Sequence, residues 1–98
     1  MNQQKTTLQE NLKYQKLTAQ KFIEYQPDVE VITFTREGSI AGSGQWAANA
    51  IVTIAGKEYR QIIGPWEAIG EDLPNTPSSY IPGPVTVNYS DGSSEVLR

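Results

Sequence analysis

A single helical pattern stands at the start of the chain, and a proline ends it. Residues 7–26 carry apolar side chains at helical spacing, and Thr7 with Glu10 matches the capping box of a helix N-terminus. Pro27 cannot continue a helix and disfavours helical backbone in the residue before it. The residues of the apolar stripe, which Gln15 interrupts, are Leu8, Leu12, Ala19, Phe22 and Ile23. The periodicity predicts a helix that buries this stripe on a sheet. The alternative is a helix on a membrane surface, which Glu and many Gln on its polar face disfavour.

After Pro27 the chain alternates between apolar and polar residues in short runs, which is typical of β-strands. The predicted strands cover residues 29–36, 45–54, 57–63, a run that begins at Val85, and residues 94–97. Ala55-Gly56 and Asp91-Gly92 are turn signals that join neighbouring strands as hairpins. Consecutive hairpins predict an α+β fold, in which the N-terminal helix packs on an antiparallel β-meander of four to five strands.

The chain of 98 residues has the usual length of one domain with one core. Residues 1–6 form a polar lead, residues 7–26 the helix, and residues 29–97 the sheet, which a long loop over residues 64–84 interrupts. The glycine-rich segment 37–44 indicates a flexible connector, because the lysine and the helix start of a phosphate-binding loop are missing. We therefore expect a single domain over residues 1–98.

The composition excludes several kinds of chemistry. The chain has no cysteine and no histidine, which removes thiol nucleophiles, cysteine-based zinc sites and the commonest general base. Its 8 basic residues are scattered, and with 11 acidic residues the net charge is −3, so no surface for nucleic acid is expected. No apolar run reaches the length of about 18 residues that spans a membrane. We expect no cofactor, no metal ion and no catalytic residue.

The longest connection, residues 64–84, is the first candidate for a functional surface. It holds five of the six prolines and several large apolar residues, whereas ordinary loops span about 4–6 residues. Trp and Tyr are favoured at binding hot spots, and prolines reduce the entropy lost on binding. The alternative is that these residues only fold the loop onto the sheet. We predict a non-catalytic protein-binding module anchored by Trp66 and Tyr80, with the contact residues Trp66, Glu67, Ile69, Tyr80 and Ile81.

Carboxylates in the same loop raise a further hypothesis. Glu67, Glu71 and Asp72 lie close together in the sequence. A carboxylate-based hydrolase would need Glu67, Glu71 or Asp72 to face a pocket, and a calcium site would need a regular spacing of oxygen ligands, which this loop lacks. A hydrolase is therefore the third hypothesis for function, and acidic residues on a solvated surface are the simpler interpretation.

The predicted order of elements is one helix followed by an antiparallel meander. Residues 61–66 of this chain read Gln-Ile-Ile-Gly-Pro-Trp. This combination resembles the cystatin family, in which a sheet wraps one helix. Cystatins insert a hairpin loop with Gln-x-Val-x-Gly and a second hairpin with Pro-Trp into a protease cleft. In this chain the Gln-to-Gly spacing is one residue shorter, and both pieces lie at the same strand end. An enzyme inhibitor, cystatin-like or phage-encoded, is therefore the alternative function, and we do not transfer inhibitor activity from the motif.

The chain as a whole resembles a second group of proteins. A lead rich in Asn, Gln and Lys, an amphipathic helix, and strands rich in Thr, Val and Tyr look like the mature parts of small exported lipoproteins of Gram-positive bacteria. The resemblance implies a cell-surface location and membrane attachment through a lipid anchor that this sequence lacks; a cytoplasmic location is the alternative. Met1 is the only methionine, and it is either the natural start or an addition to such a mature part.

Overall fold

The computed structural model describes residues 7–97, which form one helix and one sheet. The helix is α1 (Leu8–Tyr25), and the strands are β1 (Val29–Phe34), β2 (Ser39–Ile40), β3 (Trp46–Ile54), β4 (Lys57–Ile63), β5 (Ala68–Gly70), β6 (Val85–Asn88) and β7 (Ser94–Leu97). The helix packs on the sheet, which confirms the α+β class. The predicted polar lead, residues 1–6, lies outside the described residues.

The N-terminus of α1 carries the capping box that the sequence predicts. The Thr7 hydroxyl accepts a hydrogen bond from the Glu10 amide (3.1 Å), and Glu10 Oε1 accepts one from the Thr7 amide (2.9 Å). These bonds satisfy two amides that have no partner within the helix. The bond from Thr7 also holds the pKa of the Glu10 carboxyl below its ordinary value. The helix therefore begins where the sequence places it.

The sheet is mixed and has seven strands. The strands lie in the order β5-β4-β3-β1-β6-β7, with β2 added to β3. All pairs are antiparallel except β1 and β6, which run parallel with Val31 opposite Thr86 and Ile32 opposite Val87. The prediction of an antiparallel meander of four to five strands is therefore wrong, both in the number of strands and in their direction.

The strand order explains why the connection after β5 is long. The chain must travel from β5 at one edge to β6 on the far side of β1, and three strands lie between them. Residues 71–84 make this passage beside the C-terminal end of α1. There Gln26 Nε2 donates to the Pro74 carbonyl (2.8 Å), and the Thr76 hydroxyl donates to Asp28 Oδ1 (3.0 Å). Hairpin signals alone do not tell which edge a chain reaches after such a loop.

Two short strands lie in segments that the sequence predicts as loops. Ala68–Gly70 forms β5 within the predicted loop 64–84, and Ser39–Ile40 forms β2 within the glycine-rich segment 37–44. Two or three residues are too few for an alternation of apolar and polar side chains to be recognised. The first correction matters most for function, because β5 turns part of the predicted loop into a sheet edge.

The hydrophobic core lies between α1 and one face of the sheet. Strand β3 alternates as predicted, with buried side chains at Trp46, Ala48, Ala50, Val52 and Ile54. From the helix, Ala19, Phe22 and Ile23 are buried in the same cluster. The prediction for the first turn is wrong, because Leu8 is 52% exposed. The N-terminal half of the helix turns a polar face to the protein interior instead.

That polar face is held by side-chain amides. Asn11 Nδ2 donates to the Gly38 carbonyl (2.8 Å), and Asn11 Oδ1 accepts from the Gly38 amide (3.2 Å). One turn later, Gln15 Nε2 donates to the Ser90 hydroxyl (2.7 Å), and Gln15 Oε1 accepts from the Ser90 amide (3.1 Å). Both amide side chains are fully buried, so these bonds replace the water that the polar atoms lose. They tie the helix to the segments after β1 and β6.

An aromatic pair packs beside these amides. The Tyr14 ring stacks on the Trp46 indole with centroids 5.3 Å apart, and the indole lies directly against the backbone of Gly38. A Cβ at position 38 would lie 2.3 Å from Trp46 Cζ2 and 2.6 Å from the Ala47 carbonyl oxygen. Because neither the packed indole nor the strand backbone can move aside easily, only glycine fits at this position.

We predict that Gly38→Ala lowers the free energy of unfolding by about 3 kcal/mol, the upper range for overpacking a core. Gly42→Ala is the matched control, because a Cβ there meets no atom within 4 Å. Urea denaturation followed by circular dichroism measures both variants. Equal stability of the two variants would show that Trp46 does not pack on residue 38.

We also predict that Gln15→Leu lowers the free energy of unfolding by about 1–3 kcal/mol, because the Ser90 amide and hydroxyl lose their buried partner. Gln20→Leu, on the exposed side of the same helix, should change it by less than about 0.5 kcal/mol. Thermal and urea unfolding of the two variants provide the comparison. A Gln15→Leu variant as stable as the wild type would refute the structural role of this amide.

Candidate functional site

Trp66 stands at the tip of the connection between β4 and β5. The Gly64 amide donates to the Glu67 carbonyl (2.9 Å), so Pro65 and Trp66 form the two residues of a tight turn. Gly64 and Pro65 are buried, whereas Trp66 is 72% exposed. Gly64 packs closely on β3, since a Cβ there would lie 2.4 Å from the Trp46 carbonyl oxygen. A rigid support therefore holds the largest exposed aromatic side chain out in solvent.

The turn forms one wall of a groove, and the last turns of α1 form the other. The groove has a volume of about 520 Å³ and is lined by Lys21, Phe22, Glu24 and Tyr25 of the helix and by residues 64–68. Tyr25 is 67% exposed, so two aromatic side chains border the same groove with most of their surface free. The Tyr25 ring packs on the buried Phe22 ring with centroids 6.1 Å apart. This arrangement suits the capture of an apolar or aromatic group from another molecule.

A second depression adjoins the groove and shares Tyr25 and Ala68 with it. It follows the β5 edge to Glu71 and Asp72 and ends at residues 73–76. The charged side chains that line the groove and this depression are Lys21, Glu24, Glu67, Glu71 and Asp72. The last turn of α1 contains no basic residue, so the negative end of the helix dipole adds to the acidic character. The combined surface favours positively charged partners.

Two buried glutamines position this acidic stretch. Gln61 Nε2 donates to the Glu71 carbonyl (2.6 Å), and Gln26 Nε2 donates to the Pro74 carbonyl (2.8 Å). Glu71 Oε1 accepts a hydrogen bond from the Arg60 amide (2.7 Å), which extends the pairing of β4 with the chain after β5. The segment that follows β5 is thus attached to both β4 and the end of α1.

The structure separates the five predicted contact residues into three places. Trp66 and Glu67 line the groove beside α1. Ile69 lies opposite Ile62 in the β4–β5 pair and, 59% exposed, borders a depression on the other face of the sheet. Tyr80 and Ile81 line a third depression beside residues 27–30. The segment 64–84 is therefore not one contact surface, because β5 and the passage past the helix spread its residues over the molecule.

The three predicted carboxylates do not face a common enclosed pocket. Glu67 borders the groove, Asp72 borders the adjoining depression, and Glu71 borders both that depression and the one on the other face of the sheet; all three are exposed. The Glu71 carboxylate is already engaged by the Arg60 amide. Among residues 7–97, no group of three or more acidic side chains is arranged to hold a metal ion. These positions favour an electrostatic role for the carboxylates over a joint catalytic one.

A tyrosine with a raised pKa lies near the N-terminal half of the helix. Burial and a hydrogen bond to Glu95 raise the pKa of the Tyr89 hydroxyl well above its ordinary value, and the same bond lowers the pKa of Glu95. The Tyr89 ring also stacks on Phe34, and Lys16 Nζ lies 3.5 Å from the Glu95 carboxylate. These contacts link α1 to the β6–β7 hairpin, so the shifted pKa values of Tyr89 and Glu95 result from the packing of these elements.

Sequence reasoning missed the helix wall of the groove. Tyr25 lies beside the apolar stripe of α1, three residues after Phe22, and an aromatic side chain at the border of such a stripe was the available signal. Lys21 and Glu24 belong to the polar side of the helix and carried no signal of their own. Their role depends on where the β4–β5 turn packs, which a local pattern does not reveal.

Comparisons with known proteins identify no relative: no family model matches the chain, and no curated protein sequence or solved structure is significantly similar to it. Among residues 7–97, no helix is both long and apolar enough to cross a membrane.

We predict that Trp66 supplies nearly all tryptophan emission that acrylamide quenches, because Trp46 is 2% exposed and Trp66 is 72% exposed. Trp66→Phe should leave a blue-shifted emission with little quenching, and near-ultraviolet circular dichroism should show that the core is intact. Steady-state fluorescence with an acrylamide titration measures this. Strong quenching in the Trp66→Phe protein would contradict the described positions of the two indoles.

Proposed function

We propose that the protein is a non-catalytic binding module that recognises another protein through the groove between α1 and the β4–β5 turn. Trp66 is the anchor, and Glu67 and Tyr25 border the contact. The observation that carries this proposal is the 72% exposure of Trp66 on a turn whose two preceding residues, Gly64 and Pro65, are buried. An exposed tryptophan of this kind gains much from being covered by a partner, because its large apolar surface leaves water.

The support of Trp66 also favours binding. The turn is held by the close packing of Gly64 on β3, by the buried Pro65, and by the bond from the Gly64 amide to Glu67. A preorganised side chain loses less conformational entropy when a partner covers it. Hot spots at protein interfaces are enriched in tryptophan and tyrosine for these reasons.

The proposed contact includes fewer residues than the sequence suggests. Ile69, Tyr80 and Ile81 border other depressions, so we assign them no part in the first contact. An inhibitor of a host or foreign enzyme is a second candidate function, favoured by the projection of Trp66 from the β4–β5 turn. It would appear as a stoichiometric complex that blocks enzyme activity. The cell-surface location rests on the sequence resemblance to exported lipoproteins alone.

The test compares Trp66→Ala with Ile81→Ala, which also removes a large exposed apolar side chain but lies outside the groove. Each variant should unfold within about 4 °C of the wild type, since both positions are on the surface. Proteins captured from source-cell lysate and envelope by the immobilised wild type are identified by mass spectrometry, purified, and titrated against all three proteins.

We expect Trp66→Ala to weaken binding of the partner by about tenfold or more and Ile81→Ala to leave it unchanged. A partner that binds both variants as tightly as the wild type would refute the groove as the contact. Unfolding of Trp66→Ala would show that Trp66 is part of the core and would equally refute the proposal.

A further inference from the structure

We propose that the segment recognised by the groove is an extended peptide with lysine or arginine side chains, which lies along the β5 edge. Its apolar residue would contact Trp66, and its basic residues would lie beside Glu71 and Asp72. This inference rests on the proposed function, because it assigns a chemistry to the partner of the same site. Three observations carry it: the charge of the surface, the backbone pattern of β5 and the shape of the depression.

The charge of the surface selects a basic partner. Glu24, Glu67, Glu71 and Asp72 line the groove and its continuation, and Lys21 is the basic side chain among the residues that line them. Complementary charge steers partners and excludes wrong ones. A second copy of this chain that bound through the same surface would place the same acidic side chains against one another, and like charges repel. Acidic partners such as nucleic acids are disfavoured for the same reason.

The backbone of β5 offers a place for an added strand. The Glu67 carbonyl bonds to the Gly64 amide, the Glu71 amide donates to the Arg60 carbonyl (3.1 Å), and Ile69 lies opposite Ile62. In an antiparallel pair, backbone groups alternate between the two sides of a strand. The amides and carbonyls of Ala68 and Gly70 therefore point away from β4, along the outer edge of the sheet. An extended peptide can pair with such an edge.

The groove and the adjoining depression follow this edge continuously. Ala68 borders both of them, and Gly70 borders the second, between Trp66 at one end and Asp72 at the other. The surface is therefore elongated along β5, with an aromatic end and an acidic end. An extended chain with apolar and basic residues matches both ends, whereas a compact ligand would occupy only one of them.

The test uses two fluorescein-labelled octapeptides as probes, one alternating lysine with valine and one alternating glutamate with valine. Fluorescence anisotropy with the full chain at 150 mM salt measures their affinities. The variants are Glu71→Gln/Asp72→Asn and the matched control Glu37→Gln/Glu58→Gln, which changes the net charge equally at exposed residues outside the groove. Gln at position 71 keeps an oxygen that can accept the Arg60 amide.

We expect the lysine peptide to bind and the glutamate peptide not to bind. The Glu71→Gln/Asp72→Asn variant should bind the lysine peptide about 3- to 10-fold more weakly, whereas the control variant should differ by less than about twofold. In a ¹⁵N-correlated NMR titration, the amides of Ala68 and Gly70 should show the largest shifts. Equal weakening in both variants would show a general attraction of the acidic protein for cations and would overturn the inference.

The two proposals fail in different ways. If the lysine peptide binds no better than the glutamate peptide while a captured protein still depends on Trp66, the basic-peptide inference is wrong and the proposed function stands. If peptide shifts cluster at Ile62 and Ile69 on the other face of the sheet, the β5-edge assignment is wrong. If the captured protein also binds Trp66→Ala as tightly as the wild type, both proposals are wrong.

Discussion

The position of α1 on the sheet depends on amide side chains that bond to backbone groups near the two ends of the helix. Near the N-terminal end, the buried Asn11 and Gln15 bond to Gly38 and Ser90. At the C-terminal end, the buried Gln26 bonds to the Pro74 carbonyl. The apolar face between them, formed by Ala19, Phe22 and Ile23, supplies burial without direction, whereas the amides fix where the helix lies along the sheet. Polar residues on the inner face of the helix thus give the fold its specificity.

This placement connects the topology to the candidate site. Residues 71–84 have to pass the end of α1 to bring β6 beside β1, and Gln26 and Asp28 hold them during that passage. The same helix end forms one wall of the groove, and the β4–β5 turn forms the other. Residues 71–84 are therefore chiefly a structural link. The exposed aromatic surface arises at Trp66, in the β4–β5 turn before this link, and not along the whole of residues 64–84.

The sequence predicts the helix, its cap and the main antiparallel strands because each leaves a local signal, such as the Thr7–Glu10 capping box or the alternation along β3. It does not predict the parallel β1–β6 pair, because that pair depends on which edge the chain reaches after residue 84. Trp66 and Glu67 can be predicted as contact residues from the residues of the segment 64–84. Tyr25 and Lys21 lie at the same groove only because the end of the helix packs beside the β4–β5 turn. Ile69, Tyr80 and Ile81 were predicted to join Trp66 because they are near it in sequence. In the structure they border other depressions, since β5 and the passage past the helix separate them from Trp66.

The placement of α1 by buried amides can be tested through nuclear Overhauser contacts from the side-chain amide protons of the buried glutamines. We expect contacts from the Gln15 amide protons to Ser90 and from the Gln26 amide protons to Pro74, together with contacts between β1 and β6 in a parallel pattern. Such contacts would establish the fixed helix that forms one wall of the groove. Glutamine side chains with averaged shifts and no long-range contacts would show that these amides do not hold the helix, and an antiparallel β1–β6 pattern would show that the topology is wrong.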